Sequence, residues 1–558
     1  MNTTTTALNN VWKKSAPIIA SILFAFASPK NIAAEKKNPP LPPIAPYWVF
    51  KPWVWEDNKN TQKSTLELVN GYINRKIPVG TVIIDSPWET SYHSFEWDEK
   101  RYPNPKKLIA TLHAKNVKVV MWITGAINKI SSDTPNRKEC PFYKFVKEKK
   151  YVVNNGADYK WWKGTGVHID FTNEKAKKWF FEQMDKLHAI GVDGWKVDQG
   201  EQTLGKQILS SIGEISLQKF KTYYYSALTN HATATNPRII TLARPISHQG
   251  GKAAPIDKCI VGWSGDFRGS WAGMQKQRSL LYQSANAGYG ALCVEVGGYT
   301  GAKSTKEELI RYAQFGAFMP VMSNGGANGG MTNHLPWFHD DETVDIYRLY
   351  ATIHAELAPY LFSSCVDKHL GTGPLVKPMG KTSHLLGKDI FVATIMDASN
   401  KINNSFPKEG QWIDFWNPTM VHDGGTKNEI KCSLREYPVF IRAGSIIPLA
   451  VDNDIAGHGG ESSKGKITLW IHPKGKTTRI IHIHENDGTK YSDVSVSCDA
   501  AKGNISLEGK KKRAYRFLIE MKTKPKNVSG FDSWSYDSKK KRLVGNKTGD
   551  SFSVSIKQ

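Results

Sequence analysis

Acidic residues are in short supply in this chain. Across 558 residues, 51 Asp and Glu face 75 Lys and Arg, a formal charge of +24 at pH 7. Such a balance suits nucleic acid, anionic membrane surfaces or acidic polysaccharides. No recognisable nucleic-acid module surrounds the basic runs Lys510-Lys-Lys-Arg513 and Lys539-Lys-Lys-Arg542. They read as solvated hairpin turns, and no nucleic-acid partner is expected. Cysteine is scarce as well: there are six, widely spaced, with no C-x-x-C pair, which excludes the usual zinc spacings. An even count permits disulfides in an exported protein, but a chain this long buries enough core without them, so free thiols are an equal alternative. The N-terminal apolar run, Ala16 to Ala27, is well short of the ~20 residues that cross a bilayer; no stable membrane span is expected. No Gly-rich phosphate loop follows the first strand, which weakens an open nucleotide-binding sheet. No metal and no cofactor is expected, and His482 and His484 read as an ordinary strand face.

Length implies roughly two to four domains. Lys13-Lys14, the apolar run and Ile32-Ala33-Ala34 form an export signal over residues 1–34, which places the protein in the periplasm or outside the cell. Residues 35–46 are Lys- and Pro-rich and read as a linker. From 47 to 371 strand-like runs alternate with helical stretches. Val79–Asp85, Val117–Thr124, Val192–Val197 and Arg238–Ala243 are strands; Asn104–Lys115, Lys175–Ile190, Leu217–Thr229 and Gly273–Ala287 are helices. That alternation predicts a (β/α)₈ TIM barrel. Beyond it the chain turns all-β, with a proximal β-sandwich over 372–460 and a distal one over 461–558, dividing where Gly and Ser cluster.

The most informative stretch is Gly191-Val-Asp-Gly-Trp-Lys-Val-Asp-Gln-Gly-Glu201. It carries Asp198 to a strand tip. A second carboxylate, Asp266, lies in Gly262-Trp-Ser-Gly-Asp-Phe-Arg268. In a barrel the chemistry sits at the C-terminal strand ends, which selects Asp85, Trp122, Asp198, Arg244 and Asp266. Two carboxylates on strand ends, flanked by Trp and Gly, are what cleavage of a sugar bond needs. The chain has 18 Trp, and indole faces stack on apolar sugar faces. Strand alternation puts Lys196 on the face of Asp198, where its charge would keep Asp198 ionised or form a plain ion pair. The structural alternative is that Asp198 caps a strand and Asp266 starts a helix.

These motifs resemble glycoside hydrolase family 31, the α-glucosidase and α-xylosidase group, over roughly residues 47 to 500. The matching segments are Asp85-Ser-Pro-Trp-Glu89 with Phe95 and Trp97, Lys118–Thr124, Asp170-Phe-Thr-Asn173, Gly194–Glu201, Trp263-Ser-Gly-Asp266 and Tyr437–Leu449. The resemblance implies a retaining α-glycosidase with Asp198 as nucleophile and Asp266 as acid/base. It implies Asp85 as ligand of the terminal sugar's distal hydroxyls, with Trp88, Trp122, Trp195 and Trp263 around the sugar. Arg244, similar to an arginine after the sixth strand, would orient a carboxylate or hydroxyl, or form a structural salt bridge. Two departures stand out. Residues 1–46 leave no room for the family's usual N-terminal β-sandwich, and Phe318–Gly326 lacks its Arg-x-His, for which Asn324 or His334 would substitute. The expected partner is an oligosaccharide or polysaccharide. An α-galactosidase-like or anionic-sugar preference stays open, as does a non-catalytic glycan-binding protein on the same fold.

Overall fold

The computed structural model describes residues 40–557 apart from 58, 138, 249–250, 302 and 326–333. The expected export signal and the start of the linker lie outside the described residues. The remainder of that linker is packed down: Pro42, Ala45 and Pro46 are buried, and His369 donates to the Pro42 carbonyl at 2.8 Å.

Eight parallel strands close into a barrel: β1 Trp53–Glu56, β2 Thr81–Ile84, β3 Lys118–Ile123, β4 Gly194–Val197, β5 Ile240–Ala243, β6 Val261–Trp263, β7 Ala291–Val296 and β8 Val321–Gly325. Closure is set by β1, which pairs with β2 on one side and β8 on the other. Runs such as Val82-Ile-Ile84 and Val119-Val-Met121 are buried on both faces, as a parallel sheet walled by helices requires. The helices that return the chain start at side-chain caps, where an oxygen satisfies an otherwise orphan backbone N–H. Thr61 caps α1 (Gln62–Asn74), Asn173 caps the helix Glu174–His188, and Ser270 caps the helix Trp271–Asn286. The strands place Asp57, Asp85, Asp198, Arg244 and Asp266 just beyond their C-terminal ends. Arg244 follows the fifth barrel strand, not the sixth. After β3 the chain makes a detour through a three-stranded antiparallel sheet of 126–131, 159–161 and 164–168.

Beyond the helix Ala358–His369 the chain is all-β. A six-stranded sheet and a two-stranded ribbon occupy residues 376–442, and a second sheet is built on the long strands 504–520 and 542–557. The apolar run 439–448 is divided between two sheets. Gly444, at φ +92°, turns it, and 446–450 joins the later sheet. His484 stacks on Tyr47 at 3.6 Å, fastening that sheet to the barrel. Lys510–Lys512 are not a hairpin turn. They bulge from within the strand 504–520, between Glu508 and Arg513, so their charges reach solvent without ending the strand. Lys539–Lys541 do form the expected turn. All six thiols are free. Among the described residues no helix is long and apolar enough to cross a membrane.

Candidate active site

A cavity of about 360 Å³ opens at the C-terminal end of the barrel, within the ~300–1,000 Å³ of small-ligand sites. It gathers Asp85, Trp122, Lys196, Asp198, Arg244, Trp263 and Asp266 from the sequence reading. It also takes in Trp55, Asp57 and Tyr299 from strand ends, and Asp133, Trp162 and Lys163 from the detour after β3.

Asp198 is buried, its Oδ1 crowded by donors while Oδ2 accepts a single hydrogen bond. Oδ1 accepts from Arg244 Nη2 at 2.8 Å, from Arg244 Nε at 3.2 Å and from the Gln199 amide at 2.7 Å. Oδ2 accepts from Trp122 Nε1 at 3.1 Å. Burial alone would push its pKa up, but the charges of Arg244 and Lys196 and these hydrogen bonds outweigh it and hold the carboxyl below the ordinary aspartate value. The same Arg244 Nη2 lies 3.7 Å from Asp266 Oδ1. The two carboxylate oxygens are therefore at most 6.5 Å apart, the sum of 2.8 and 3.7 Å. Asp266 differs in environment: its side chain is 33% exposed against 12% for Asp198. Gly265, at φ +114°, is required here. A Cβ would sit 1.8 Å from His248 Nδ1 and 2.4 Å from Arg244 Nη1, so any side chain would displace the guanidinium.

Lys196 bonds Asp85 Oδ2 at 2.8 Å, both side chains 4% exposed. Its ammonium lies 3.7 Å from the Trp55 ring centre and 4.3 Å from that of Trp263. Burial would lower its pKa, but Asp85, Glu295 and Asp198 raise it to about 12. Arg244 lies over Trp263 at 3.8 Å. Two further acids were not visible as site residues in the sequence. Burial, aided by Asp85, pushes Asp57 to about 7 against the pull of Lys163 and Lys196, and Tyr299 donates to it at 3.0 Å. Burial pushes Glu295, on β7, to about 8. Asp57 follows Trp53-Val-Trp-Glu56, which has one β-branched residue where Thr81-Val-Ile-Ile84 has four, and so gives a weaker strand signal. Asp133 and Lys163 come from a loop sheet with no barrel-strand signal.

Four expected sugar contacts do not line the cavity. Trp195 faces the helix layer and donates to His188 at 2.7 Å, because Lys196 takes the inward side of β4 and its neighbour must point out. Asn324 likewise points outward from β8, bonding Tyr72 on α1 at 2.8 Å and the His334 carbonyl at 3.1 Å. His334 is buried against Gly297, and burial draws its pKa down to about 4. Trp88 lies behind Trp122, donating to its carbonyl at 3.0 Å.

Residues 42–364 match the glycosyl hydrolases family 31 TIM-barrel domain, and 376–447 match the glycosyl hydrolase family 31 C-terminal domain. An alpha-glucosidase 2 of Bacillus thermoamyloliquefaciens is 24% identical over 84% of this chain and 61% of its own length. An alpha-xylosidase of Emericella nidulans is 22% identical over 73% and 54%. The chain thus spans about half to three fifths of these curated relatives. In structure it is similar to a GH31 dextranase of Flavobacterium johnsoniae solved with glucose, with a TM-score of 0.80, 19% identity, and coverage of 93% of this chain and 71% of that one. The family model alone covers more than half of the sequence, so this chain belongs to glycosyl hydrolase family 31.

Proposed function

We propose that the protein is a retaining α-glycosidase that removes terminal α-linked sugars through a covalent glycosyl-enzyme. The observation that carries this reading is the shared arginine, which holds a buried, anionic Asp198 and a partly solvated Asp266 at most 6.5 Å apart. Retaining pairs are ~5–5.5 Å apart and inverting pairs ~6.5–9.5 Å. Asp198 attacks the anomeric carbon while Asp266 gives its proton to the departing glycosidic oxygen. Asp266, now a carboxylate, takes a proton from water, whose oxygen displaces Asp198 and restores the α configuration. Asp85 and Lys196, already bonded to each other, offer an acceptor and a donor to ring hydroxyls, and Trp55, Trp122 and Trp263 supply apolar walls.

A neutral sugar fits better than an anionic one. Among the described residues lining the cavity are five aspartates against Lys163, Lys196 and Arg244, so the chain's positive surplus is not focused there. An α-glucoside is the first substrate to try, given the relatives' names. Both carboxylates are in place, which speaks against a non-catalytic glycan binder. Export belongs to the same proposal and is supported by the Lys13–Ala34 pattern. The test is the anomer of the first-released sugar, followed by NMR before mutarotation. The α anomer is expected; the β anomer would overturn the two-step displacement.

A further inference from the structure

Two tryptophans among the described residues are exposed, Trp162 at 45% and Trp534 at 38%. Trp534 belongs to the distal sheet, whereas Trp162 lines the catalytic cavity. A large apolar ring left in water at the mouth of a sugar-sized cavity calls for an occupant, because indole gains most when its flat face is covered. It sits with Lys163 at the turn of the hairpin formed by strands 159–161 and 164–168.

That turn is held rigidly. The Lys163 carbonyl accepts from Asn128 Nδ2 at 2.9 Å and from the Ser132 amide at 3.1 Å. Lys163 Nζ reaches Asp133 at 2.6 Å, and Tyr92 holds the other oxygen of Asp133 at 2.8 Å. Gly164, at φ +132°, lets the hairpin pass the Ile130 carbonyl, which a Cβ would meet at 1.9 Å. Trp161, buried beneath, is pinned by Asn128 at 2.8 Å and meets the Trp162 ring edge-on at 5.0 Å. A binding platform needs such support to spend little entropy on ordering.

We propose that Trp162 is the stacking platform for the leaving-group sugar, so that the preferred substrate is an oligosaccharide whose departing residue is itself a neutral sugar ring. This deepens the proposed function and rests on it. Terminal sugar recognition stays with Asp85, Lys196 and Arg244, and Trp162 acts only on what departs.

The test compares two substrates that share the sugar being transferred. Isomaltose presents a leaving sugar; α-glucosyl fluoride leaves only fluoride. Trp162→Ala is expected to lower kcat/KM for isomaltose by about tenfold or more, and that for the fluoride by less than about twofold. Trp162→Phe, which keeps a flat ring, is expected to restore most of the loss. Equal losses on both substrates, or no loss on isomaltose, would overturn the platform. If the wild-type protein cleaves neither substrate, the α-glucoside reading fails separately. The platform is then decided by calorimetric titration of the protein with isomaltotriose and with glucose. Selective weakening of isomaltotriose binding by Trp162→Ala supports it, and unchanged binding refutes it.

Discussion

The two sides of the cavity differ in kind. On the β4–β6 side, Asp198, Arg244, Trp263 and Asp266 form one interlocked group in which a single guanidinium serves both carboxylates. On the β7–β1 side, Tyr299, Trp55 and Asp57 form a looser wall, with Asp57 raised to about 7 by burial and no motif that announces them. Under the proposed reaction, the first side must keep one carboxyl anionic and leave another able to carry a proton. The second need only fit a sugar, and sugar shapes are met by many side-chain sets. Sugar identity therefore depends on the wall that the motifs leave unspecified.

The largest effect that would break this contrast is at Arg244. Arg244→Gln is expected to lower kcat/KM by about 10²–10³, the scale for losing one preorganised electrostatic partner. It should also move the acid limb of the pH profile upward. Asp198 must be ionised to attack, and removing the adjacent cation raises its pKa. An unmoved limb would mean that Arg244 does not govern Asp198. On the other wall the effect should be smaller. Tyr299→Phe removes the donor to Asp57 and is expected to raise KM roughly two- to tenfold, one hydrogen bond's worth, with kcat nearly kept. A fall in kcat comparable to that of Arg244→Gln would erase the distinction between the sides. Smallest of all, Trp195→Phe should leave kcat/KM within about twofold while costing about 1 kcal/mol of stability through the lost bond to His188, read as a lowered Tm in thermal unfolding.

The barrel was legible because its signals are local and repeated. Runs such as Val119–Met121 and capped amphipathic helices such as Glu174–His188 are written in adjacent residues. Asp198 and Asp266 were legible because strand ends are where a barrel presents its chemistry. Trp195 and Asn324 were misread for a reason already in the sequence. Once Lys196 and Asp198 share the inner face, period-two alternation sends Trp195 outward, and the same alternation does so for Asn324 on β8. His334 and Trp88 could not be placed that way, since both lie in loops whose course depends on tertiary packing. Asp57, Trp162 and Lys163 were missed because a strand poor in β-branched residues and a detour hairpin carry little barrel-strand signal. Their place at the cavity is a product of the closed fold.

The central claim is a covalent bond between Asp198 and the sugar. It is tested most directly by reacting the protein with 5-fluoro-α-glucosyl fluoride, whose glycosyl-enzyme breaks down slowly, and locating the added mass by peptide mapping. The account predicts one fluoroglycosyl unit on the peptide carrying Asp198. A label on Asp266 or elsewhere, or steady fluoride release with no label on the protein, would contradict it.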